Sequence, residues 1–238
     1  MSNDAIEILE NVFWTLVGTV RYYIARKMQR LRITFTKSEE ARFIGNLDLH
    51  RAWERTMRRV GADMVFSQGF NPSPKLQLAS ALPLGITSEA EVLDVWLNES
   101  VEIDDFGVQI TEVMPPGIQI REIREAKLDE KSLQSRLCAV EYVVEMRDCK
   151  LIREIELEVK KLLSRQTVMR KRRGKDYDLR PLIETLEIKR DKPGNADLHM
   201  RLSARPGFTG RPEEVISALG MASTRMHRTA LIFVDKDY

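Results

Sequence analysis

Cysteine is almost absent from this 238-residue chain: there are two, Cys138 and Cys149, and neither belongs to a CxxC pair. Without further thiolates the chain has no set that could hold an iron–sulfur cluster or a tetrahedral zinc. The same scarcity argues against a disulfide framework and makes a reducing cytoplasm the expected compartment. Histidine is nearly as rare. His50, His199 and His227 lie far apart in sequence and form no HxxxH-type pair, so neither metal nor cofactor is expected. Long apolar runs are missing too. The charge-free apolar stretch NVFWTLVGTV at residues 11–20 is too short for a bilayer, which takes about 20 apolar residues. It does not read as a secretory signal either: Asp4, Glu7 and Glu10 precede it, and Arg21, Arg26 and Lys27 follow. No single sign of charge dominates. The 38 Lys+Arg and 36 Asp+Glu leave a net charge of +2, so partners have to be read from where the charge sits.

What is present suits a globular protein with a core: 43% hydrophobic and 31% charged residues. In the N-terminal extension, residues 1–28, Ile6, Leu9, Phe13, Leu16, Val20 and Tyr23 fall at helical spacing and predict an amphipathic helix. It would dock on the rest of the chain, on a partner or on a membrane surface; alternatively, Met28 is the start.

From Arg30 the pattern is regular. RLRITFTK alternates as a strand does, and NLDLHRAWERTMRRVG predicts a helix with Asn46 as N-cap, Gly61 as stop, and Leu49, Trp53, Met57 and Val60 on one face. A short strand ADMVFS leads into the loop SQGFNPSPK, whose two prolines and one glycine make it stiff. LQLASAL and EVLDVWL follow as strands, residues 103–113 as a helix that PPG ends, and IQIREIREA as a strand. The second part repeats the order. LCAVEYVVEM is a strand, residues 150–163 are a helix, TLEIKRD and ADLHMRL form a hairpin across KPGN, Pro212 opens a helix, and RTALIFVD is the last strand. The expected fold is α+β: two tandem ferredoxin-like β-α-β-β-α-β halves, residues 29–127 and 128–238, behind the N-terminal helix.

Two basic clusters stand out. Arg42, Arg51, Arg55, Arg58 and Arg59 face only Asp48 and Glu54 over residues 42–59, and on the helix they lie opposite the apolar stripe. RQTVMRKRRGKDYDLR, residues 165–180, is denser. Arg170, Lys171, Arg172, Arg173, Lys175 and Arg180 surround Tyr177, as in a basic hairpin tip carrying an aromatic. Such clusters attract phosphate, and an aromatic can stack on an unpaired base. The loop SQGFNPSPK would then hold Phe70, Asn71 and Lys75 at the edge of a basic surface, unless Phe70 folds into the core.

ARFIGNLDLHRAWERTMRRVG and FSQGFNPSPKLQLASALPLGITSEAEVLDVWL resemble the radical SAM-linked protein family, a conserved domain of unknown function found beside or fused to cobalamin-binding radical SAM proteins. The resemblance covers residues 30–98 most strongly and continues more faintly through DLRPLI and GRPEEV. It places Arg42, Phe43, Leu47, Asp48, Trp53, Arg55 and Arg59, the loop residues Ser67 to Pro72 and Pro74, and Gly85, Ser88, Glu91 and Asp94 in the family pattern. Many members carry SHLDL and NPHP where this chain has GNLDL and NPSP, so two histidines of that pattern are Asn46 and Ser73 here. The resemblance implies a radical SAM partner and no known reaction.

The resulting expectation is an RNA-binding accessory protein serving a radical SAM enzyme. Two alternatives stay open. One is an RNA-processing or RNA-modifying enzyme, with His50 as general base of a metal-independent ribonuclease or Asp48 as nucleophile of a pseudouridine-synthase-like reaction. The other is a protein-interaction scaffold using the N-terminal segment and the acidic stretch SEAEVLD.

Overall fold

Strand β1 (Gln29–Lys37) is buried along almost its whole length, which puts it inside a sheet. The structure, a computed structural model, describes residues 28–146, 149–172, 174–192, 195–221 and 225–234. The predicted N-terminal helix falls on residues 1–27, outside the described residues.

β1 lies between β3 (Thr87–Leu97) and β4 (Ile118–Ala126), antiparallel to both, and the short β2 (Leu76–Leu78) pairs with β3. The order β4-β1-β3-β2 therefore interleaves the chain. The second half repeats it: β5 (Leu137–Met146) lies between β11 (Met226–Phe233) and β9 (Asn195–Arg205), and β9 also pairs β8 (Ile183–Lys192). β9 further pairs β10 (Phe208–Thr209), and β6 (Met169–Arg172) with β7 (Lys175–Asp178) makes a separate hairpin. The halves join into one nine-stranded, mostly antiparallel sheet through β11 and β3, which run parallel and meet at His227–Thr87 and Arg228–Ser88.

Helices α1 (Asn46–Arg59) and α2 (Ile103–Val113) cover the first half. A single turn, α3 (Leu133–Arg136), lies in the crossover, and α4 (Cys149–Ser164) and α5 (Pro212–Ala218) cover the second half. Leu49, Trp53 and Met57 of α1 and Phe106 and Ile110 of α2 pack on Leu31, Ile33, Phe35, Leu93 and Val95. Trp53 meets Phe35 edge to face at 4.9 Å. Ile152, Ile155, Val159 and Leu162 of α4 and Val215 and Ile216 of α5 pack on Tyr142, Val144, Leu198, Met200 and Leu202. Phe35 stands opposite Glu91, and Arg228, opposite Tyr142, reaches both Glu91 and the Tyr142 hydroxyl. Both cores thus lie on one face of the sheet, with the four longer helices as a single layer above it. Among the described residues no helix is long and apolar enough to cross a membrane.

Three local expectations change. Gly45, not Asn46, is the N-cap of α1, and Asn46 is the first helical residue. ADMVFS forms isolated bridges rather than a strand, Met64 opposite Leu97 and Phe66 opposite Pro74. The acidic stretch SEAEVLD is not a surface patch throughout: Glu91 and Asp94 are buried, because each holds buried arginine.

The PPG turn after α2 is tight for a stated reason. Gly117 has φ +83° and its carbonyl accepts from Ser38 N at 2.8 Å. A Cβ there would sit 2.6 Å from Ala41 N. Gly117→Ala combines a disfavoured backbone with a clash against backbone, and is expected to lower unfolding free energy by about 2–3 kcal/mol in urea titration. An unchanged midpoint would show that the turn relaxes freely.

Candidate nucleic-acid interface

The loop SQGFNPSPK is the tip of a hydrogen-bonded arm. Val65 N donates to Trp96 O at 2.8 Å, Trp96 N to Lys75 O at 3.2 Å and Lys75 N to Val65 O at 2.6 Å, so both legs are tied to β3 or to each other. At the tip Ser67 N donates to Ser73 O at 2.8 Å and Ser73 N to Ser67 Oγ at 3.0 Å. Gly69, at φ +135°, makes the bend that the prolines frame. Phe70 at the apex is fully exposed, and Asn71 is exposed beside it. The core alternative for Phe70 is thus overturned.

Below the arm lies a cleft of about 730 Å³. Its walls are Asn46 and His50 of α1, Ser67, Ser73, Pro74 and Lys75 of the arm, all of β2, and Glu130, Ser132 and Gln134 of the crossover, with Arg30 and Trp96 also lining it. Lys75 Nζ and the Arg30 guanidinium lie 4.5 and 4.7 Å from the centre of the same Trp96 ring, so two cations rest on one indole. His50 is half-buried with Nε2 3.2 Å from Leu76 O, and the Asn46 Oδ1 is buried without a partner. An acceptor buried and unpaired in a cleft wall is suited to a donor from outside the chain. Asn46 and Ser73, the two positions singled out by the family pattern, share this cleft, which sequence spacing gave no means of seeing.

The arginines of α1 are exposed, but part of their charge is engaged. Arg51 pairs with Asp48 at 3.3 Å and Arg58 with Glu54 at 2.6 Å, while Arg55 and Arg59 have no ion pair among the described residues. Asp48 is exposed, and no hydrogen bond joins it to His50. Arg42 pairs with Glu39 at 2.9 Å, which holds the Glu39 carboxyl below its ordinary range, and stacks on the exposed Phe43. Arg42 also lines a second cleft, of about 340 Å³, with His199, His227 and Arg225. His199 and His227 flank Val143 from β9 and β11, and the His227 Nδ1 is 2.8 Å from the Thr87 hydroxyl. That meeting of distant histidines was not legible in the sequence.

The second basic cluster is elsewhere. β6 and β7 place Arg170 opposite Tyr177, Lys171 opposite Asp176 and Arg172 opposite Lys175; Arg173 lies outside the described residues. Asp178 fixes the base by accepting from Val168 N and Arg180 N at 2.7 and 3.0 Å. Burial, followed by Glu214, pushes the Tyr177 hydroxyl pKa up. The Arg180 guanidinium donates to Leu163 O and Ile183 O, both at 3.3 Å, and so holds the hairpin's exit in place. Neither cleft is lined by this cluster: α1 rides on the first core, whereas Tyr177 packs against the second.

A family model described as "Uncharacterized protein conserved in bacteria (DUF2344)" matches residues 30–212. The chain belongs to this family. The DUF2344 span begins within β1 and takes in the arm, the first cleft and the basic hairpin. No curated protein matches the chain. A solved structure titled "Crystal structure of putative glycine cleavage system transcriptional repressor" aligns with it at 11% identity and TM-score 0.26, over 84% of this chain and 98% of that one. A likeness at that score says nothing about fold or function here.

Proposed function

We propose that this DUF2344 chain is a cytoplasmic RNA-binding accessory protein that works with a radical SAM enzyme in RNA modification or processing. We propose further that its halves are tandem ferredoxin-like units, a reading supported by the order fourth-first-third-second in each half. The radical SAM partnership rests on the family resemblance alone.

Phe70 carries the RNA reading. A phenyl ring wholly in solvent, at the apex of an arm tied to the sheet, is preorganised to stack on an unpaired base. Arg55, Arg59 and Lys75 add cationic groups on α1 and at the base of the arm, where they would hold the backbone by charge.

Fluorescence anisotropy with single-stranded RNA, duplex RNA and a neutral polymer tests this. Single strands are expected to bind best and to weaken as salt rises. Phe70→Ala is expected to weaken binding by about tenfold, within the about 1–3 kcal/mol that one base–aromatic stack contributes. Binding no better than to the neutral polymer, or indifferent to salt, would overturn the proposal.

A further inference from the structure

Strand β4 is the free edge of the first half, with β1 as its one strand neighbour among the described residues. Edge strands are commonly blunted by charged side chains, proline or bulges. β4, IQIREIREA, carries a bulge and four charges, but the charges are of both signs and can pair with a second copy. Arg121, Glu122, Arg124 and Glu125 alternate in sign about Ile123, and none of the four has an ion pair among the described residues.

Register sorts these side chains by face. Glu122 and Arg124 stand opposite Thr34 and Arg32, and Ile123 stands opposite Ile33 on the core face. The register shift at Thr34/Phe35 leaves Arg121 as an unpaired extra residue, so regular pairing is available from Glu122 onward. On the core face, Ile123 and Ile120 remain only half-buried, and with Ile103, Gly107 and Val108 of α2 they line an open groove of about 410 Å³. Val108 is 60% exposed.

We infer that β4 is a self-association edge, to which a second copy of this chain adds its own β4, antiparallel, about a two-fold axis at Ile123. A two-fold interface must be self-complementary, and this edge is. Glu122 of each copy stands opposite Arg124 of the other on one face. Ile123 meets Ile123 on the opposite face, where the two α2 grooves adjoin. Like charges directly opposite would be destabilising, and opposite charges stabilise such a pair. The inference is independent of RNA binding.

Sedimentation of the full chain over a range of concentrations tests it. A reversible dimer is expected. Arg124→Glu sets Glu122 against glutamate twice and is expected to raise the dimer dissociation constant by about tenfold or more. The swapped double variant, Glu122→Arg with Arg124→Glu, restores the dimer, which a general loss of folding would not allow. Ile123→Cys is expected to give a disulfide-linked dimer on mild oxidation, absent from the parent chain. A monomer at every concentration overturns the inference, including the case in which hydrogen exchange finds the β4 edge covered by residues 1–27. A dimer unaffected by Arg124→Glu overturns it as well.

Discussion

Asp94→Asn is expected to lower the unfolding free energy by about 3–5 kcal/mol, the usual cost of removing one member of a buried ion pair. Asp94 is fully buried and accepts from two arginines on β1: Arg30 Nε and Nη2 at 3.1 and 2.5 Å, Arg32 Nε and Nη2 at 2.8 and 2.9 Å. Asparagine keeps the shape and removes the charge. Arg32 would retain Glu130 at 2.8 Å. Arg30 would be left with the carbonyls of Lys127, Glu130 and Lys131, the amide at position 94 and the Trp96 ring, all neutral, although only 1% of its side chain reaches solvent. Urea titration, with the denaturant slope unchanged, is the measurement. A loss under about 1 kcal/mol would mean that the two guanidinium groups are hydrated in solution.

The second large effect is at the join of the two halves. Arg228, 1% exposed, donates to Glu91 Oε1 at 2.9 Å, to Ala81 O at 2.9 Å and to the Tyr142 hydroxyl at 3.1 Å. Burial opposes its charge, yet Glu91 and Tyr142 hold its pKa above the ordinary value. Lys37, nearby and itself buried, has its pKa lowered by desolvation, against the pull of Glu91. Arg228→Met leaves Glu91 buried without its partner and is expected to cost about 3–5 kcal/mol. The loss should also fall unevenly. Of the three tryptophans, Trp53 and Trp96 belong to the first half and Trp14 lies outside the described residues, and β11 meets β3 at two residue pairs. In a Trp14→Phe background, tryptophan fluorescence and far-ultraviolet circular dichroism are therefore expected to report separate unfolding transitions in the variant, where the parent shows one. Coincident transitions at an unchanged midpoint would refute this account of the join.

Much of this architecture was legible from local pattern. The stripe of Leu49, Trp53 and Met57 sits in the core as its spacing requires, residues 103–113 form the helix that PPG ends, and Pro212 opens α5. The buried charge was not legible. RLRITFTK puts Arg30 and Arg32 on the polar side of an alternating strand, which ordinarily means solvent; here the crossover carbonyls and Asp94 enclose them. SEAEVLD read as acidic surface because the partner of Glu91 is 137 residues away. The fate of Phe70 turned on whether the arm's legs pair with β3, a long-range fact that loop composition does not carry. The clefts are invisible for the same reason: each gathers side chains from elements that only tertiary structure makes neighbours.

The parallel join has a consequence for how the molecule is made. The groups on β3 that receive Arg228 are synthesised long before β11 exists, so a nascent chain must hold Glu91 and the Thr87–Ser88 edge without their eventual cover. Contacts closing so large a loop form late and slowly. During that interval the half-built sheet presents a raw flank, open to mispairing with other strands.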